Sequence, residues 1–167
     1  MIILGIDPGL QNTGWGVIET QGNSLKHIAN GTIKTKTSDE MSFRLARIYY
    51  DLNTVLDIYK PDTAAVEETF VNNNPISTLK LGQARGIALM TPALKGIEVG
   101  EYAPNAIKKA IVGAGHAGKE QMQMMVSTLL PAVEFSSPDA ADALAVAICH
   151  AHHCQTHHRV NLAMLED

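Results

Sequence analysis

Carboxylates close or open apolar runs at three places in the chain. IILGID ends in Asp7, TAAVEE ends in Glu67 and Glu68, and PDAADALAVAIC opens on Asp139 and Asp142. Taken singly, most have an ordinary explanation. Asp7 precedes Pro8-Gly9 and suits the start of a turn. A glutamate at a strand end simply reaches water. Asp139 follows Ser137 as N-cap and Pro138 at the first helical position, and complements a helix dipole. Asp142 is harder to dismiss, because Leu144, Val146 and Ile148 follow close behind it. Its i, i+3 spacing from Asp139 puts both on one helix face.

Gathered in one place, these acids repel unless a cation compensates them. Oxygen-only ligands select Mg²⁺ or Mn²⁺. Two such ions roughly 4 Å apart can activate a water and stabilise the leaving oxygen of a phosphodiester. The charge count agrees: the net charge is −4, from 13 basic and 17 acidic residues, so setting four acids aside balances the chain. Net charge alone speaks against nucleic acid as a partner, but the distribution is uneven. Between Lys80 and Lys119 six basic residues face two acidic ones, so the middle is positive and both flanks are negative.

The elements that must position these groups can be read from periodicity. Residues 2–7 form a buried strand with Ile3, Gly5 and Asp7 on one face and Ile2, Leu4 and Ile6 on the other. Gly5 is expected to leave open space beside Asp7. Residues 13–20 and 24–36 read as antiparallel partners, with turn signals at Gly22-Asn23 and Asn30-Gly31. Phe43, Leu45, Ile48, Leu52, Val55, Leu56 and Tyr59 fall at helical spacing, ended by Lys60-Pro61. Residues 62–68 are a short strand, on which Glu67 and Glu68 point to opposite faces. Only one of them can join Asp7, and alternation does not say which. A helix over 75–94, a strand over 97–102, and helices near 104–112, 119–130 and 138–153 complete an α/β domain with a mixed sheet. The Gly-rich VGAGHAGK is expected to be the most mobile connection.

The 167 residues, 46% of them hydrophobic, fit one domain over 1–153 with a tail over 154–167. Two cysteines make no disulfide scaffold. With no signal-peptide pattern and no run able to cross a bilayer, a cytoplasmic protein is expected. The stretch CHAHHCQTHHR holds five of the seven histidines. A solvated helix end explains it better than zinc, since the spacing fits no finger.

GIDPGLQNTGWGVIE, VEETF, LKLGQARG and DAADALAVAICH, in this order and at this spacing, resemble the RuvC-type Holliday junction resolvases from Ile3 to about His152. The resemblance implies a ribonuclease H-like fold, a five-stranded mixed sheet flanked by helices. It also implies a homodimer that cuts four-way DNA junctions by paired symmetric nicks with Mg²⁺ or Mn²⁺, leaving 5′-phosphate and 3′-hydroxyl ends. The family's catalytic acids fall on Asp7, Glu67, Asp139 and Asp142, all four as ligands of two ions, which selects Glu67 over Glu68. Some members carry histidine at the Asp139 position, so Asp139 is the most replaceable ligand. Lys119 takes a catalytic place near the scissile phosphate, with Lys108 close to it. Of Lys108 and Lys109, one should face DNA and the other solvent. Phe70 resembles an aromatic that stacks on an unpaired base. Phe70, Asn74, Lys80, Arg85, Lys108 and Lys119 are thus the expected DNA contacts, with salt-sensitive affinity from the cations. The helix after Pro75 carries Leu79, Ala84 and Ile87, which suit either a dimer interface or packing on the sheet. A RuvA/RuvB-type branch-migration motor is the further partner implied. The chain departs from relatives with a basic tail, because it ends LAMLED.

Three other readings compete. A ribonuclease H-like nuclease acting on hybrid duplex would share the acids but lack a dimeric junction platform. An actin-type ATPase lobe also carries D-x-G, but that architecture needs two lobes. A non-catalytic junction binder gives no reason to collect four acids.

Overall fold

A computed structural model describes residues 1–68 and 74–163, and side chains as far as Cys154. Three strands, β1 (Ile2–Asp7), β2 (Asn12–Gln21) and β3 (Ser24–Lys34), form an antiparallel meander. Helix α1 (Met41–Tyr59) leads to β4 (Thr63–Glu67), and α2 (Pro75–Ala93) leads to β5 (Glu98–Tyr102). Helices α3 (Pro104–Val112), α4 (Lys119–Leu129) and α5 (Pro138–Ala163) follow. The sheet order is β3-β2-β1-β4-β5, with β1, β4 and β5 parallel. It is the five-stranded mixed sheet expected from the sequence.

Strand alternation divides the core. Ile3 packs beneath α3, α4 and α5 with Ile107, Val126 and Leu144. Leu4 and Ile6 face the other way, onto Ile48, Leu52 and Ala88 of α1 and α2. Helix α5 is unusual in being buried nearly all round: Ala140, Ala141, Ala143, Ala145, Ala147 and Ala151 are all enclosed. Small side chains let its backbone lie against the sheet.

The sheet supplies the matching seat, and one expectation is overturned there. Gly5 does not open space beside Asp7. A Cβ on Gly5 would stand 2.1 Å from the Ala143 carbonyl oxygen and 2.6 Å from the Ala147 nitrogen, so α5 already fills the position. Gly14, paired with Asp7 across β1 and β2, meets the Asp139 carbonyl oxygen at 2.0 Å in the same way.

Other departures are local. Asn30-Gly31 does not turn the chain; it continues β3, where Gly31 makes room for the Trp15 indole. Phe43 keeps its helical spacing but is 69% exposed, while the next residue, Arg44, is the one buried in that turn. Lys60 ends α1 in the left-handed conformation with φ 45°, and Pro61 follows. On α2, Ala84 is buried while Leu79 faces outward, so the expected stripe divides between sheet and surface. Helix α5 runs ten residues past the expected end at 153, so the backbone of the proposed tail is helical to Ala163. His150 is not part of a solvated end. It is buried, with its ring nitrogens 2.9 Å from the Thr63 hydroxyl and 2.8 Å from the Tyr102 hydroxyl. Among the described residues, no helix is long and apolar enough to cross a membrane.

Candidate active site

Parallel pairing brings the first two acids together. Ile6 of β1 pairs with Val66 of β4, so the next residues, Asp7 and Glu67, leave the sheet side by side. Glu68 is exposed, and its backbone N–H is taken by the Tyr102 carbonyl.

The other two acids ride on the first turn of α5, whose start is pinned in several ways. The Ser137 hydroxyl accepts the Ala140 N–H at 3.0 Å, as an N-cap should, and also bonds the Thr32 hydroxyl on β3. Asn30 holds the preceding loop from below, donating to the Glu134 carbonyl and accepting the Ser136 N–H, both at 2.9 Å. Sequence reasoning missed Asn30 because Asn-Gly reads as a turn.

Three of the carboxylates lie within electrostatic reach of Asp7. Burial first, and then the charges of Glu67, Asp142 and Asp139, push the Asp7 carboxyl up to about 8. Burial and the Asp142 charge raise Glu67 to about 7, against the opposing pull of a hydrogen bond to Asp7 and of the Lys108 cation. Burial also raises Asp142, opposed by Lys119, whose Nζ lies 3.4 Å from Asp142 Oδ2. Asp7 and Glu67 behave as a hydrogen-bonded pair inclined to share a proton. Beside them lies a cavity of about 280 Å³ lined by Glu67, Ile107, Lys108, Lys119 and Asp142 among others.

These donors fit a hard cation. Every candidate ligand atom is a carboxylate oxygen; Asp7, Glu67 and Asp142 are desolvated by burial and pressed by like charge, and a cation would relieve both penalties. Among the described residues, no three acids, histidines or cysteines are drawn into a closed ligand cluster. Glu67 and Asp142 instead border an open cavity, with Asp7 and Asp139 within electrostatic range of them.

The remaining candidates separate clearly. Lys108 faces the cavity from α3, and its neighbour Lys109 is exposed outside the lining. Lys119 is the first residue of α4, so a helix start anchors it rather than the Gly-rich stretch. Lys80 is exposed on α2. Two of the expected DNA contacts also make structural bonds within the chain. Asn74 is the N-cap of α2 and accepts the N–H groups of Ile76 at 3.0 Å and Ser77 at 3.3 Å. Arg85 is partly exposed, with its guanidinium bonded to Glu101 on β5. Phe70 lies outside the described residues.

A mixed sheet of this order, with acids at the ends of its two central parallel strands and on the helix crossing them, defines a ribonuclease H-like nuclease. Residues 3–150 match the family model described as crossover junction endodeoxyribonuclease RuvC. The chain is 61% identical over 155 residues to the crossover junction endodeoxyribonuclease RuvC of Paracoccus denitrificans, covering 93% of this chain and 94% of that one. It superposes on Thermus thermophilus RuvC, solved in complex with a Holliday junction substrate, with a TM-score of 0.88 at 33% identity, covering 93% of this chain and 96% of that one. The yeast mitochondrial Holliday junction resolvase Ydc2 shares the fold, with a TM-score of 0.70 at 15% identity over 99% of this chain and 84% of that one. The chain belongs to the RuvC family of crossover junction endodeoxyribonucleases, metal-dependent hydrolases of phosphodiester bonds.

Proposed function

We propose that the chain resolves four-way DNA junctions in the cytoplasm, in homologous recombination and repair, by paired symmetric nicks that leave 5′-phosphate and 3′-hydroxyl ends. The observation that carries this reading is the convergence of Asp7, Glu67, Asp139 and Asp142 beside a cavity edged by Lys108 and Lys119.

Asp7, Glu67, Asp139 and Asp142 would hold two Mg²⁺ ions, replaceable by Mn²⁺, and those ions would supply an ionised water and neutralise charge at the scissile phosphate. Asp7, whose carboxyl feels the charges of Glu67, Asp142 and Asp139, would be the ligand that compensation by a cation relieves most. For these roles Asp7 and Glu67 must give up the proton they tend to share. Lys119 would leave Asp142 for the phosphate and stabilise the charge that develops there. Lys108, on the facing side of the cavity, would hold the substrate backbone in register. Ile107 and Met122 give the cavity an apolar side, which lowers the local dielectric and would strengthen these interactions.

A homodimer suits paired cuts, because a four-way junction is itself two-fold symmetric. The outer face of α2 supports it: Ile76 and Leu79 near its start and Met90 and Leu94 near its end are exposed and apolar. A RuvA/RuvB-type motor would be the partner that delivers a migrating crossover. The test is a synthetic junction with a mobile crossover. The wild type should nick it with Mg²⁺, and Asp7→Asn should bind it without nicking. Faster cleavage of an RNA–DNA hybrid than of the junction would overturn the reading, and full activity of Asp7→Asn would remove Asp7 from the chemistry.

A further inference from the structure

A second cleft opens at the same end of the sheet, on the opposite face from α5. It has a volume of about 330 Å³ and is lined by Lys34, Thr35, Lys36, Asp39, Phe43, Arg44 and Arg47. Four cations and one carboxylate line it, in a chain whose net charge is negative; Arg47 is paired with Asp51 at 2.6 Å, and Lys34, Lys36 and Arg44 make no ion pair among the described residues.

Arg44 shows that the cleft is built for an anion. Its side chain is buried, 9% exposed, yet among the described residues it has no carboxylate partner. Its Nε donates to the Thr35 hydroxyl at 2.9 Å and one terminal nitrogen donates to the Leu10 carbonyl at 3.3 Å. A guanidinium has five N–H donors, so these bonds fix its plane and leave others for a ligand in the cleft. Burying a cation without a counter-charge is costly, and an arriving anion removes that cost. Planar guanidinium groups recognise phosphate oxygens well. Lys34 and Lys36 add exposed charge at the rim, and Phe43 stands exposed beside them.

The location decides which anion. Leu10, which Arg44 holds, lies in the short β1–β2 connection that begins directly after Asp7. Lys34 pairs with Asn12 at the same sheet end. Two strand spacings separate β3 from β1, about 10 Å. Duplex DNA carries one phosphate charge per roughly 1.7 Å of its axis, so a helical arm with a phosphate at Asp7 has others at this distance. We propose that the Lys34–Lys36–Arg44–Arg47 cleft is a second backbone-binding site, which grips the phosphates of a junction arm beyond the cut and sets that arm's angle. This rests on the junction-cutting reading above.

The test uses the full-length protein and a four-way junction, with binding followed across a salt series. Lys34→Gln with Lys36→Gln should lower the log–log salt slope by about two and weaken binding at 0.1 M salt by roughly ten- to a hundred-fold. The nicking rate at saturating junction should be unchanged. Lys34→Arg with Lys36→Arg should keep the wild-type slope. Lys26→Gln with Lys60→Gln removes the same charge from exposed sites at the opposite end of the sheet and should also keep it. An unchanged slope in the first variant overturns the cleft, as does an equal loss in the opposite-end variant. A wild type that neither binds nor nicks junctions overturns the underlying reading instead, so the two failures are distinct.

Discussion

Replacing Gly14 with alanine should disable the nuclease without touching any acid. Gly14 is opposite Asp7 in the register of β1 and β2. Its missing side chain is where α5 begins: an added Cβ would lie 2.0 Å from the Asp139 carbonyl oxygen and 2.4 Å from the Asp139 carbonyl carbon. Ordinary non-bonded contacts are about 3.5 Å, so the first turn of α5 must move by on the order of 1 Å or more. The obstacle is backbone on both sides, so no rotamer change relieves it. Overpacking of this kind costs about 1–3 kcal/mol of stability. The larger effect falls on geometry, because the displaced turn carries Asp139 and Asp142 while Asp7 and Glu67 stay on the sheet. A misplacement of about 1 Å costs on the order of a hundred-fold in rate, close to 3 kcal/mol of barrier. Gly16→Ala is the milder internal contrast, since its Cβ meets the Leu144 side chain at 2.7 Å and comes no nearer than 3.0 Å to backbone, well away from the acids. The assay pairs denaturant unfolding with the single-turnover nicking rate of a junction at a temperature where both variants are folded. Gly14→Ala should lose about a hundred-fold and Gly16→Ala less than ten-fold. If folded Gly14→Ala nicks at the wild-type rate, the glycine seat does not set the spacing of the acids.

Three further outcomes follow from the same structure. In EDTA the chain should lose stability as the pH rises from about 4 to about 8, because folded Asp7 and Glu67 hold protons that the unfolded chain releases in that window. Asp7→Asn should flatten this slope and raise the melting temperature at pH 8, and a variant less stable than wild type there would contradict the repulsion described. Lys119→Ala removes the cation that holds Asp142 down, so besides slowing nicking it should move the acidic limb of the pH–rate profile to higher pH, while Lys119→Arg should not. His150→Phe strands the Thr63 and Tyr102 hydroxyls and should cost about 2–3 kcal/mol in denaturant melts. Burial holds the His150 imidazole below its ordinary range, so the wild type should also weaken as the pH falls below about 6.5, and the variant should lack that loss.

The parts of the site that were legible in the sequence are those encoded by local pattern. Apolar runs ending in acid located β1 and β4, and Ser137-Pro138 located the start of α5. What alternation could not supply was the choice of Glu67 over Glu68. That choice is set by the parallel register of β4 on β1, a contact between segments some sixty residues apart. Gly5 was misread for a related reason: an absent side chain signals either a void or a close approach, and only the packing of α5 distinguishes them. Phe43 and His150 failed in opposite directions, since helical phase predicts which side a residue faces but not where the core ends. The full length of α5 left a signal that could have been used. No glycine or proline occurs after Pro138, so nothing in the sequence stops the helix at 153.

The glycines and alanines explain how this fold tolerates its own active site. Three acids raised above their normal range by burial and like charge, Asp7, Glu67 and Asp142, favour any motion that separates them. The easiest such motion is for α5 to lift from β1 and β2. Gly5 and Gly14 oppose it by letting α5 backbone rest directly on the strands, where the buried alanines and Leu144 hold it. Asn30 and Thr32 tie down its first turn from β3. Because relaxation is blocked, the repulsion persists in the folded chain, and a cation that relieves it binds more tightly for that reason. Loosening the seat should therefore weaken cation affinity even where every carboxylate is retained. Mg²⁺-induced stabilisation of Gly14→Ala, measured as a melting-temperature shift, should be smaller than that of the wild type, and an equal shift would show that the acids gather without help from the helix seat.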